Sequence, residues 1–143
     1  MTKTEILQAW YDQAWTRGDL NAVERFYTAD VTGPVVVPSL SLNISELHAF
    51  LTVLRSRVRQ IAIKVTQAVE QSGWLAAPTT FSGCCVATAG RVETKDQVLI
   101  RFAESKVTGS HGQVDDIALF EQLGHLPQDT DTACLAGQGL TWR

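Results

Sequence analysis

The sequence predicts an α+β domain in which helices segregate onto one face of an antiparallel sheet. Three observations predict it. Apolar residues recur at helical spacing in the N-terminal part, the period falls to two after residue 60, and a short helical pattern returns near residue 117. With 143 residues, of which 45% are hydrophobic and 19% charged, the chain has the size and composition of one folded core. The folded domain is expected over residues 1–127, with a polar, loosely ordered tail over 128–143 anchored only by Trp142.

Each element has its own signal. Leu7, Trp10, Tyr11, Ala14 and Trp15 share one broad face of a helix from Ile6 to Gly18, and Thr2 with Glu5 has capping-box spacing. Asp19 caps a second short helix, Leu20 to Tyr27, and Val31 to Val37 is strand-like up to Pro38. Ile44, Leu47, Leu51, Leu54 and Val58 form the clearest helical stripe, so a long helix is predicted from Ile44 to about Arg59, capped by Asn43 and Glu46. Ile61, Ile63 and Val65 then alternate with polar residues up to a turn at Gln71-Ser72-Gly73. Strands follow from Trp74 to Phe81, bulged near Pro78 and continued by Gly83 to Val86, then, after a turn at Gly90-Arg91, at Val92, over Gln97 to Glu104, and over Lys106 to Val114. Asp116 opens a final helix, Ile117 to Leu123, which Gly124 closes.

Composition narrows the function. A net charge of −3 with scattered Lys and Arg gives no electrostatic reason to bind nucleic acid or an anionic membrane. No apolar run approaches the ~20 residues of a membrane span, and the charged opening Met1-Thr2-Lys3-Thr4-Glu5 does not read as a signal peptide. Cys84, Cys85 and Cys134 have no metal-ligand or disulfide spacing; they read as buried thiols of a cytoplasmic protein, with no metal and no cofactor expected. P-loop, dinucleotide-binding and nucleophile-elbow patterns are also missing.

The last strand carries the candidate chemistry. By period two, Val107, Gly109, His111, Gln113 and Asp115 share one face, and if that face meets a concavity, Asp115 is a partly desolvated carboxylate suited to act as a base. His111 lies roughly 13 Å from Asp115 along an extended strand at ~3.3 Å per residue, so the two line one cavity at different depths without forming a dyad. The alternative for Asp115-Asp116 is a helix cap plus a surface charge.

Several segments resemble the SnoaL-like polyketide cyclases of the nuclear-transport-factor-2-like superfamily. The run from Trp10 to Val31, with Trp15-Thr16-Arg17-Gly18-Asp19-Leu20 and Phe26-Tyr27-Thr28-Ala29-Asp30-Val31, is similar to the family's opening "w-x-x-G-D-l" and "f-y-a-x-D-v". Ala89-Gly90-Arg91-Val92, Val98-Leu99-Ile100-Arg101-Phe102 and Val114-Asp115-Asp116-Ile117-Ala118-Leu119-Phe120-Glu121-Gln122-Leu123-Gly124 resemble its later strands and its closing "Q-L-G". The resemblance spans residues 5 to about 127.

It implies an NTF2-like cone, a strongly curved sheet wrapped around the long helix, usually paired as a homodimer through the sheet. It further implies a cofactor-free cyclase or isomerase that closes a ring on a small apolar or polyketide-like molecule by aldol condensation. Asp115 falls at the position of the family's base, with His111, Arg101 or Tyr11 as hydrogen-bond donors to the enolate. Tyr11, Trp15, Asn43 and Gln113 are the further substrate-binding candidates. Against these stand plain packing for Tyr11 and Trp15, helix capping for Asn43, and pairing with Glu93 or Glu104 for Arg101. The sequence departs from the family where "e-H-W" is replaced by Gly109-Ser110-His111, and the "f-P-D" that commonly follows the long helix is missing near Arg59 to Ile61. Ala103, two residues beyond Arg101, argues against the epoxide hydrolases of this fold, which need an Asp there. A non-catalytic binding or carrier module on the same scaffold is the second expectation.

Overall fold

A computed structural model describes residues 1–32 and 43–141. Helix α1 (Lys3–Trp10) begins in the expected capping box: Thr2 accepts from the Glu5 N–H while the Glu5 carboxylate accepts from the Thr2 N–H. It runs straight into a π-helical segment, Tyr11–Thr16, whose wider turn is marked by the Arg17 N–H donating to the Asp12 carbonyl. The C-terminal carbonyls of that segment are orphaned by geometry, and Arg55 satisfies two of them, donating to Trp15 O at 2.5 Å and to Thr16 O at 2.9 Å. Arg55 is therefore a structural clamp.

Helix α2 (Ala22–Phe26) leads into strand β1 (Tyr27–Thr32). The strand predicted from Val31 to Val37 begins inside β1, and its remainder lies outside the described residues, as does Trp142. Asn43 caps α3 (Ile44–Arg57) by accepting from the Glu46 N–H at 2.8 Å. Leu47 and Leu51, from the predicted stripe, are the fully buried residues of that helix.

The rest is sheet. β2 (Val58–Val65), β3 (Val69–Gln71), β4 (Trp74–Cys85), β5 (Arg91–Ala103) and β6 (Lys106–Gln113) form an antiparallel meander, and β1 joins its edge parallel to β6. The strand order is β1-β6-β5-β4-β2, with β3 pairing β4 beside β2. Two expected pairs of shorter strands fuse: β4 runs unbroken through Pro78, and β5 runs from Arg91 to Ala103 with every second residue buried. Gly83 explains how β2 and β4 draw together at the bulged end of their ladder. A Cβ there would lie 2.5 Å from Val58 Cγ1 and 2.9 Å from Arg59 O.

A second bulge sets the site. Arg101 pairs Gly109 but the next residue, Phe102, pairs Val107, so Thr108 is the extra residue in β6. Alternation is broken there. Val107, Ser110 and Gly112 face the core, while His111 and Gln113 face outward. Helix α4 (Asp116–Gln122) then crosses the open end of the sheet. Its Gln122 amide exchanges two hydrogen bonds with the backbone of Glu93 on β5, at 2.7 and 2.9 Å. The tail expected from residue 128 carries one more short helix, α5 (Thr130–Leu135), whose Thr130 is buried. Among the described residues, no helix is long and apolar enough to cross a membrane.

Candidate functional site

Curvature leaves a chamber of about 270 Å³ between the inner face of the sheet and the helices. Tyr11 and Trp15 come from the π-helical segment, Phe50, Leu54 and Arg57 from α3, and Leu119 and Phe120 from α4, with Leu123 at its C-cap. The sheet contributes Thr79 and Phe81 from β4, Thr94, Asp96 and Val98 from β5, and Gly112 from β6. The wall is mostly hydrocarbon with a few polar groups, the usual make-up of a small-molecule site.

Asp96 is the carboxylate of this chamber. It falls on the inward parity of β5, between Thr94 and Val98, in a row of alternately buried residues from Val92 to Phe102. Its Oδ1 accepts from the Asp115 backbone N–H and its Oδ2 from the Thr94 hydroxyl, both at 2.9 Å. Burial pushes the Asp96 carboxyl above the usual aspartate range; the two hydrogen bonds pull the other way, and the nearby Asp115 charge adds to the rise. Burial likewise raises the Tyr11 phenol, aided by Tyr27 and by the charge of Asp96, so Tyr11 is a neutral donor on the same chamber wall. The indole N–H of Trp15 is buried with no hydrogen-bond partner among the described residues, an orphaned donor whose side chain also lines the chamber.

The remaining sequence candidates lie elsewhere. Asp115 does not look into the chamber: it is exposed and caps α4, its side chain accepting from the Ala118 N–H at 3.1 Å. The expected inward face of β6 fails for a single reason, the Thr108 bulge, which turns His111 and Gln113 to the outside. His111 stacks on Trp74 with ring centroids 6.3 Å apart, and the Arg101 guanidinium lies 5.6 Å from the same Trp74 ring. Arg101 is thus an outer-face residue. Asn43 is exposed and spends its side chain on the α3 cap. Of the seven candidates, Tyr11 and Trp15 are the two that line the chamber.

Sequence reasoning missed Asp96 and its partner Thr94. Both were visible in the alternation Val92, Thr94, Asp96, Val98, Ile100, Phe102, had the strand been extended back past Gln97. Ser110, at the inward position of β6, is fully buried. Among the described residues, no group of three or more His, Cys, Asp or Glu side chains could hold a metal ion.

Comparison with known proteins agrees with this architecture. The model of the SnoaL-like polyketide cyclase family matches residues 5–123. A Catenulispora acidiphila protein with a ketosteroid isomerase-like fold, crystallised with trimethylamine, is similar over 90% of this chain and 98% of its own, with TM-score 0.75 and 19% identity. TsrD from Streptomyces laurentii covers 87% of this chain and 96% of its own, with TM-score 0.72 and 19% identity. IdmH from Streptomyces antibioticus, described as a candidate polyketide cyclase, covers 87% and 99%, with TM-score 0.73 and 13% identity. At such identities the likeness is one of fold. No protein of curated function matches the sequence significantly.

Proposed function

The chain belongs to the SnoaL-like polyketide cyclase family, and from that premise we propose that it is a cofactor-independent cyclase or isomerase in which Asp96 is the general base. The observation that carries this reading is the position of the Asp96 carboxylate: on the wall of an apolar chamber, held at both oxygens and pushed above its ordinary acidity range by burial. A desolvated, immobilised carboxylate is a stronger base toward carbon than a hydrated one, and its geometry is fixed before the substrate arrives.

In the proposed reaction, Asp96 removes a proton from a carbon flanked by carbonyl groups. The charge passes to the carbonyl oxygen as an enolate, which accepts from the Tyr11 hydroxyl or the orphaned Trp15 N–H. The enolate carbon then attacks a second carbonyl of the same molecule, forming the new C–C bond. The resulting alkoxide takes up a proton as Asp96 returns to its carboxylate. Atoms and charge balance, and the substrate needs no partner beyond the apolar walls that fold it.

The test is deuterium incorporation at the activated carbon of aromatic polyketide esters in D₂O, followed by mass spectrometry. Asp96→Asn should lower the incorporation rate about 10²-fold or more. An unchanged rate would leave the chamber as a binding site without this chemistry.

A homodimer formed through the outer face of the sheet belongs to the same proposal. That face carries exposed Leu99 on β5 beside the stacked Trp74, His111 and Arg101 side chains.

A further inference from the structure

The rim of the chamber is electrically polarised. One end holds the acids: Asp96 within, and Asp116 at the start of α4. The other end holds Arg57, from the last turn of α3, and His125, just beyond α4. Helix α4 separates the two ends by about 10 Å, its seven residues rising 1.5 Å each. Arg57 makes no ion pair among the described residues, whereas Arg25 and Arg91 each have a carboxylate partner. His125 stacks on Phe120, itself a chamber residue, with centroids 6.3 Å apart. Arg57, Leu123 and His125 also line a side pocket of about 110 Å³, so the guanidinium and the imidazole stand at the junction of two cavities.

We infer that Arg57 and His125 bind a carboxylate of the substrate, and that the substrate is an apolar ring compound bearing this anion about 10 Å from its reactive C–H. An unpaired guanidinium beside an apolar cavity is a ready bidentate partner for a carboxylate, and it binds the body of the ligand through no other charge. The opposed acids at the far end repel the same anion, which fixes one orientation: carboxylate at Arg57, carbon acid at Asp96. The arrangement rejects a substrate whose acid group lies beside the reacting carbon. The anion site rests on the chamber being the substrate site, and the distance to the reactive C–H rests in addition on Asp96 acting as the base.

Two naphthylamine probes of one scaffold test it: 1-anilinonaphthalene-8-sulfonate, whose sulfonate stands in for the carboxylate, and the neutral N-phenyl-1-naphthylamine. Both are titrated by fluorescence into the full chain and into Arg57→Gln and Arg57→Lys, with near-ultraviolet circular dichroism to verify native packing. The expected result is one-to-one binding, with the sulfonate probe weakened about tenfold or more by Arg57→Gln and partly restored by Arg57→Lys, and the neutral probe unchanged. Equal binding of the sulfonate probe by wild type and Arg57→Gln would overturn the anion site while leaving the chamber reading intact. Failure of both probes to bind the wild-type chain would overturn the anion site together with the chamber on which it rests. Loss of turnover in Asp96→Asn bears only on the base.

Discussion

The backbone N–H of Asp115 points at Asp96, donating to its Oδ1 at 2.9 Å while the Asp115 side chain turns away to cap α4. Adjacent groups of one residue thus serve two elements. The amide holds the chamber carboxylate in place, and the carboxylate holds the helix that crosses the chamber's open end.

This division separates two substitutions. Asp96→Asn removes the proposed base and should reduce turnover about 10²-fold or more. Asp115→Asn keeps the backbone N–H and supplies an equally good N-cap, so turnover should stay within a few-fold of wild type. Steady-state rates of the two variants on one substrate decide the matter, and the reverse ranking would return the base to Asp115.

The pH profile follows from the raised acidity constant of Asp96. A base works only when ionised, so the rate should rise with pH along a limb centred above the ordinary aspartate value of 3.8. The stability consequence has the opposite sign. Because the folded state holds the Asp96 proton more tightly than the unfolded chain, this residue's contribution to stability improves as pH falls through its folded value towards 3.8. Denaturant melts should show wild type losing stability relative to Asp96→Asn as pH rises from 3.8 to the limb's midpoint, and no further change above it.

Thr94→Val probes the same carboxylate without touching it. Losing the hydroxyl that donates to Oδ2 removes one of the two bonds that favour the ionised form. The rate limb should move to higher pH, with the plateau rate changed little. A limb that stays in place would mean that the hydroxyl does not tune Asp96.

Arg55 and Gln122 are predicted to matter for stability. Arg55→Leu strips two carbonyls at the end of the π-helical segment of their donor and should cost about 1.5–3 kcal/mol, the scale of hydrogen bonds to a charged group. Gln122→Leu breaks both links from α4 to Glu93, with an expected loss of about 1–2 kcal/mol. Chemical denaturation measures both, and a neutral Gln122→Leu would show that α4 is held by its apolar face alone.

Leu99→Lys on the outer face should shift the proposed dimer towards monomer, read by light scattering, without altering the melting of the monomer. A wild-type chain that is monomeric at micromolar concentration would end the dimer proposal.

The helices were legible because their signals are local. Thr2 with Glu5 and Asn43 with Glu46 sit at the spacing their caps require, and both boxes form. The Leu47 and Leu51 stripe is buried as its spacing demands. The site was less legible because its geometry turns on one non-local event. Whether His111 or Ser110 faces the core depends on the bulge at Thr108, which arises from pairing with Arg101 and Phe102 and leaves no mark in the alternation of β6 itself. The closing helix was found, yet its cap is Asp115, where Asp116 was expected, and that one-residue difference takes the expected base out of the chamber. The role of Arg55 is not legible in the sequence, because nothing local announces a π-helical end forty residues earlier in need of donors.

The widened turn from Tyr11 to Thr16 has a consequence for how this protein can change. A helix that carries a surplus residue can give it up and remain a helix. Excising one exposed position, such as Asp12, would re-phase the roof by about a hundred degrees per residue removed, swinging Tyr11 away from Trp15 while the floor bearing Asp96 stays put. A single codon lost or gained there is a cheap route to a differently shaped hollow over an unaltered carboxylate.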